Sequence, residues 1–205
     1  MDTFMVEQLR LRWPADWTKL HVYFVPDPVE IKPMVDAYRG VLESLDCVAR
    51  QPEEWLHATM MVLDGVPARD VPAEQRAELI ERLGKAVAEV PSFTVTCGPA
   101  VAGRSTVTLD MVPDKDFAVL ADRVKAAAGE MFGPEAVKYT NNRPHITLAY
   151  ATGDGDSGII QDKLRYATDL RIPLTVDAVR LVDVLVDAEL FQFRWEELAV
   201  LRLKS

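Results

Sequence analysis

The sequence is short of four things, and each shortage closes off a class of protein. Cysteine occurs twice, at Cys47 and Cys97, far apart and in no C-x-x-C arrangement. That pair supports neither a disulfide framework nor a thiolate metal site, so free thiols are expected. Long apolar runs are missing: none approaches the roughly 18 residues that span a bilayer. The opening Met1-Asp2-Thr3-Phe4 is acidic where a secretory signal would be basic. A cytoplasmic location without membrane contact is the expectation. Basic charge is also in deficit, with 23 Lys and Arg against 32 Asp and Glu for a net charge of −9. Phosphate contacts supply most non-specific nucleic-acid affinity, and a protein that grips long duplexes shows a basic footprint for them. Long duplex nucleic acid is therefore disfavoured as a partner. Histidine occurs only three times.

What remains is an ordinary globular composition, 49% apolar and 27% charged over 205 residues, enough to bury a substantial core. Two of the three histidines fall in one repeated pattern. Leu56-His57-Ala58-Thr59-Met60-Met61-Val62-Leu63 is echoed by Arg143-Pro144-His145-Ile146-Thr147-Leu148-Ala149-Tyr150. In each copy a His, an apolar residue and a Thr lead into further apolar residues.

Periodicity predicts the elements around these motifs. A strand is expected over 20–25, a helix over 29–45 and the first motif strand over 55–63. A second helix over 73–89 and two Thr- and Val-rich strands over 93–97 and 105–109 follow. Asp114 is the expected cap of a third helix over 115–131. The second motif strand covers 145–151, and the Gly- and Asp-rich stretch 153–158 reads as a solvated loop. A short helix over 159–168 precedes two long strands, 173–186 and 190–203, paired as a hairpin. Trp13, Pro14 and Trp17 mark a turn near the start. The order of elements repeats approximately, which predicts an α+β fold with a rough internal duplication, and the paired motifs suggest two similar lobes that share one site. The expected organisation is one bilobal domain over residues 1–205.

Side chains at i and i+2 of a strand share a face. His57 and Thr59 therefore point together, as do His145 and Thr147. Ala58, Met60 and Val62, and likewise Ile146, Leu148 and Tyr150, are expected on the opposite, core side. Two such strands side by side would set two imidazoles and two hydroxyls around one pocket. One imidazole can accept a proton while the other donates one, and threonine hydroxyls can donate to charged phosphate oxygens. That combination suits transfer at a phosphodiester without a metal or cofactor. Extending the alternation backward adds Trp55 and Arg143. Trp55 can stack on a base or pack in the core, and Arg143 can hold a phosphate or be a surface charge. His21 lacks the Thr and reads as structural. Two histidines without a nearby Cys, His or Asp cluster offer too few ligands for a metal centre.

The doubled His-x-Thr on apolar strands, above all Arg-Pro-His-Ile-Thr-Leu-Ala-Tyr, resembles the 2H phosphoesterase superfamily, in its LigT-like branch of 2′-5′ RNA ligases and RNA 2′,3′-cyclic phosphodiesterases. In the first motif Ala58 and Met60 replace the larger aliphatic residues common there. The resemblance implies a bilobal α+β fold of two pseudo-symmetric lobes, mostly antiparallel sheet with helices on the outer faces and a central cleft, with catalysis by His57 and His145 and phosphate contacts from Thr59 and Thr147. It further implies a small nucleotide or a cyclic-phosphate RNA end as substrate, with ligation as the reverse reaction. The competing reading is a nucleotide- or RNA-end-binding module that keeps the fold but turns nothing over. A monomer is the expected state.

Overall fold

A computed structural model describes residues 1–2, 14, 17–138 and 143–205. The turn expected around Trp13, Pro14 and Trp17 falls largely outside them. The chain runs β1 (Thr18–Phe24), α1 (Pro28–Glu43), β2 (Val48–Arg50), β3 (Ala58–Val62), α2 (Ala73–Val87), β4 (Phe93–Ala102) and β5 (Thr106–Val112). It continues through α3 (Lys115–Phe132), β6 (His145–Ala151), α4 (Ser157–Ala167), β7 (Ile172–Val176), β8 (Ala178–Asp187) and β9 (Gln192–Arg202). Among the described residues no helix is long and apolar enough to cross a membrane.

Local chemistry sets several of these boundaries. Asp27 caps α1, its carboxylate accepting from the Val29 and Glu30 amides, with Pro28 in the first turn. Asp156 does the same for α4, accepting from Gly158 and Ile159. The aspartate at the end of the 153–158 loop thus serves the helix that follows it. Asp114, the expected cap of α3, makes no such bond; its backbone is already helical at φ −87°, ψ −14°, which turns the side chain away from the first-turn amides.

The strands form two antiparallel sheets, one of four strands in the order β3-β1-β8-β9 and one of five in the order β2-β6-β5-β4-β7. The expected strand over 173–186 is two strands, broken at Asp177. β7 forms the edge of the five-stranded sheet, and β8 enters the other sheet. The Glu30 carboxylate accepts from both the Thr175 amide and its hydroxyl, so α1 covers this edge.

The helices are exchanged between the lobes. α1 follows β1 of the four-stranded sheet, yet packs on the five-stranded one, where Tyr38 accepts the Ala100 amide at 2.9 Å. α3 follows β5 of the five-stranded sheet and packs on the other, with Phe117 edge-on to Phe24. α2 and α4 stay with the sheets of the motif strands before them. One continuous apolar cluster runs through both lobes. A second, smaller one, built on Tyr23, Val182 and Val184, lies on the opposite face of the four-stranded sheet.

Candidate active site

The first motif reaches the second because the chain changes sheets just before it. β2 pairs with β6, with Arg50 opposite Ala149, and the next amide, Gln51, donates to the Leu148 carbonyl at 2.7 Å. A single turn of 3₁₀-helix over Glu53–Trp55 then redirects the chain into β3 of the other sheet. His57 stands at this crossing, beside the strand that carries His145. Gln51 is buried, and its side-chain amide donates to the Phe191 carbonyl at 2.7 Å, tying the crossing to the turn between β8 and β9.

Both histidines are anchored in the same way. His57 Nδ1 donates to the Trp55 carbonyl at 2.8 Å, and His145 Nδ1 donates to the Arg143 carbonyl at 2.9 Å. A carbonyl only accepts, so each Nδ1 carries the hydrogen and each neutral ring presents the lone pair of Nε2. Trp55 and Arg143 therefore contribute backbone atoms to the site. Neither is a strand residue: Trp55 closes the 3₁₀ turn, and Arg143 precedes Pro144, outside β6. The alternation that was to aim their side chains does not extend to them. The Trp55 ring lies edge-on to Trp195 at 4.9 Å, while Arg143 is exposed.

The strands carry a second shared feature, one that the alternation cannot show. In β3 the register against β1 slips at Met60, and in β6 the register against β5 slips at Leu148. Each motif thus has a β-bulge three residues after its His, and beyond it the facing of side chains reverses. Paired residues lie on one face, so Tyr23, Thr59, His21 and Val62 share a side, as do Asp110, His145, Thr108, Thr147, Thr106 and Tyr150. Val62 and Tyr150, expected in the core, belong instead to the faces that bear Thr59 and Thr147. Ile146 and Ala58 keep their core positions.

The two sides differ in chemistry. Around His57 the wall is aromatic. Tyr23 stacks on the imidazole with centroids 3.9 Å apart and planes at 17°; Trp195 meets it edge-on at 5.0 Å and Phe193 at 6.3 Å. Burial in this setting pushes His57 down to about 4; the bond to the Trp55 carbonyl opposes the shift, and the charge on His145 adds to it. That last influence places the two imidazoles within electrostatic reach of each other. Around His145 the wall is polar, with Asp110 opposite it and Thr108 opposite Thr147. Tyr150 bridges the two, its ring 5.6 Å from Phe193. Tyr23, Phe193, Trp195 and Asp110 were not singled out from the sequence, and Tyr150 was assigned to the core. Of the first four only Tyr23 left a trace there, as the aromatic two residues after His21 in a strand. Among the described residues no three His, Cys, Asp or Glu side chains gather as a metal-holding group.

Two antiparallel sheets thus bring the two His-x-Thr motifs to one candidate site, the first at the start of β3 and the second on β6. The family profile of the 2′-5′ RNA ligase superfamily matches residues 25–188, and the chain belongs to that superfamily. Solved structures agree on the fold. A Thermus thermophilus protein superimposes with a TM-score of 0.69 at 16% identity, covering 91% of this chain and 98% of its own. E. coli LigT complexed with NADP+ gives 0.65 at 20%, covering 92% and 99%. The MHV ns2 PDE domain gives 0.54 at 13%, covering 81% and 98%. No curated protein matches the sequence significantly.

Proposed function

We propose that this protein is a phosphodiesterase that opens 2′,3′-cyclic phosphates on RNA ends or small nucleotides through His57 and His145, without a metal. The observation that carries this reading is the matched anchoring of the two imidazoles, each with Nδ1 on the carbonyl two residues back and Nε2 left for chemistry. Membership of the superfamily supports it, as do the structures of E. coli LigT complexed with 3′-AMP, ATP and phosphate.

In the hydrolytic direction His57, neutral at pH 7, takes a proton from water as its oxygen attacks phosphorus. His145 gives a proton to the departing ribose oxygen, and the ring opens to a phosphate monoester. Thr59 and Thr147 donate to the non-bridging oxygens as charge builds there. With a 5′-hydroxyl in place of water and the 3′-oxygen leaving, the same groups join two ends through a 2′-5′ bond. The aromatic side of the cleft, with Trp55 at its margin, suits a nucleobase; Arg143, exposed beside His145, suits a phosphate. The net charge of −9 favours a small nucleotide or an RNA end over a long duplex.

The test is hydrolysis of a 2′,3′-cyclic nucleotide by the wild type, His57→Ala and His145→Ala, with and without chelator. Turnover that survives chelator and is lost in both variants is expected. Binding without turnover in the wild type would make the protein a binding module, and chelator-sensitive turnover would end the metal-independent scheme.

A further inference from the structure

The third histidine, His21, stands outside both motifs, yet it is linked to His57 through Tyr23. In the β1–β3 register His21 lies opposite Val62 and Tyr23 opposite Thr59. His21 Nδ1 and the Tyr23 hydroxyl share a hydrogen bond of 2.7 Å, and both side chains are almost wholly buried. The Tyr23 ring in turn lies flat on the His57 imidazole. Trp195 stands edge-on to both rings, at 83° to Tyr23 and 80° to His57. The imidazole is thus held between a parallel wall and a perpendicular one, with Nδ1 tied to the Trp55 carbonyl. Tilting the ring out of this plane would break the stack, and a full flip about χ2 would break the hydrogen bond. His145 has the same backbone anchor, but no stacked ring is seen against it among the described residues. Among the described residues the stacked ring thus distinguishes the His57 motif from the His145 motif.

We propose that Tyr23 is a positioning residue for His57, and that His21, bonded to its hydroxyl, holds Tyr23 in the stacking position. This rests on the reading of His57 as a proton-transfer group. The device acts on orientation: the stack fixes the plane of the ring, and within that plane the Trp55 carbonyl selects the state with Nδ1 bonded and Nε2 free for proton transfer. Burial keeps His21 well below the usual imidazole range, so the hydrogen bond to Tyr23 persists as a bond between neutral groups at pH 7. Misplacing a reacting group by about 1 Å costs on the order of 100-fold in rate. Release of the His57 ring is therefore expected to lower kcat while leaving KM little changed.

The experiment follows the histidine ring nitrogens of ¹⁵N-labelled, ligand-free protein by NMR at pH 7, alongside kcat and KM on a 2′,3′-cyclic nucleotide. In the wild type His57 is expected as a single Nδ1–H tautomer. Tyr23→Leu removes the stack and is expected to give mixed His57 tautomers and a kcat lower by about ten- to a hundred-fold. Tyr23→Phe keeps the ring but loses the bond to His21, and is expected to broaden the His57 signals with a smaller loss of kcat. A folded Tyr23→Leu protein with wild-type His57 signals would overturn the proposal. If Tyr23→Leu fails to fold, Tyr23→Phe and His21→Gln carry the test, and unchanged His57 signals in both would overturn it as well. The ring-nitrogen spectra need no substrate. A wild type that turns over no cyclic phosphate would therefore count against the proposed function and leave the positioning test standing.

Discussion

Tyr150 stands opposite Thr106 across β5 and β6, and this register turns its ring to the face of the sheet that bears His145 and Thr147. The cause is the bulge at Leu148. Without that extra residue Tyr150 would point under the helices.

Tyr150→Ala is the measure of this arrangement. The ring is buried and packs 5.6 Å from Phe193, which itself approaches His57. Truncating a large buried aromatic costs about 3–5 kcal/mol. At roughly 2–4 °C per kcal/mol for a chain of this size, thermal unfolding should fall by about 6–20 °C. The His57 and Phe193 ring resonances should shift in the same variant. Unmoved resonances would put Tyr150 outside the cleft.

The two histidines act on one phosphorus in the proposed scheme, so their removals should not multiply. Each single substitution to Ala is expected to lower kcat by about 10²–10⁴-fold. The double variant should fall little below the weaker single one, as groups that act as a unit do. Single-turnover rates on a cyclic nucleotide check this; fully multiplicative losses would mean that the imidazoles serve separate steps.

Acid should unfold the protein earlier than its carboxylates alone would. His57 is depressed to about 4, and His21 is held well below its usual value, both chiefly by burial. In the unfolded chain both rings take up protons near pH 6.5. Between those values the unfolded state binds more protons, so stability is full above about pH 6.5 and is lost as pH falls toward 4. His57 alone accounts for as much as roughly 3 kcal/mol of this loss, since each tenfold change in proton affinity is worth about 1.4 kcal/mol. Urea midpoints at pH 7, 5.5 and 4.5 should fall in that order, and Tyr23→Leu should shrink the difference.

Two glycines with left-handed backbones should respond differently to a methyl group. A Cβ on Gly98, at φ +95°, would lie 2.6 Å from Met34 Cε and 3.0 Å from the Leu170 carbonyl oxygen. Gly98→Ala is expected to cost about 2–4 kcal/mol, from backbone strain and overpacking together. Gly65, at φ +73°, has nothing within 4 Å of the corresponding position. Gly65→Ala should cost only the left-handed penalty of about 1–2 kcal/mol. Chemical denaturation of the two variants separates the cases, and equal losses would mean that α1 can yield around Met34.

The shared facing of His145 and Thr147 was legible in the sequence because a strand's period of two needs only local spacing; His57 lies one residue before β3, and the turn before it sets its place. Four helices and the motif strands were legible for the same reason. The bulges at Met60 and Leu148 were not: an extra residue in a ladder leaves no mark in composition, and it reversed the facing of Val62 and Tyr150. The aromatic wall was hidden as well, since Phe193 and Trp195 read as ordinary strand residues until β9 was laid beside β8. Membership of a sheet depends on pairings tens of residues apart. For that reason the break at Asp177, where one long apolar-alternating stretch changes sheets, was invisible along the chain. Tyr23 is the partial exception, since His21-x-Tyr23 alternates in the manner of the motifs and differs only in the second residue.

The exchange of α1 and α3 bears on how such a chain can be divided. A cut near its middle would separate two segments that look like equivalent repeats. Each fragment would then carry strands of both sheets and a helix that packs on a sheet the other fragment must complete. The histidines are thus not portable parts, one per half. Each is supported by a lobe that both halves of the chain must finish, so complementation of split fragments should restore the fold and both imidazoles in a single event.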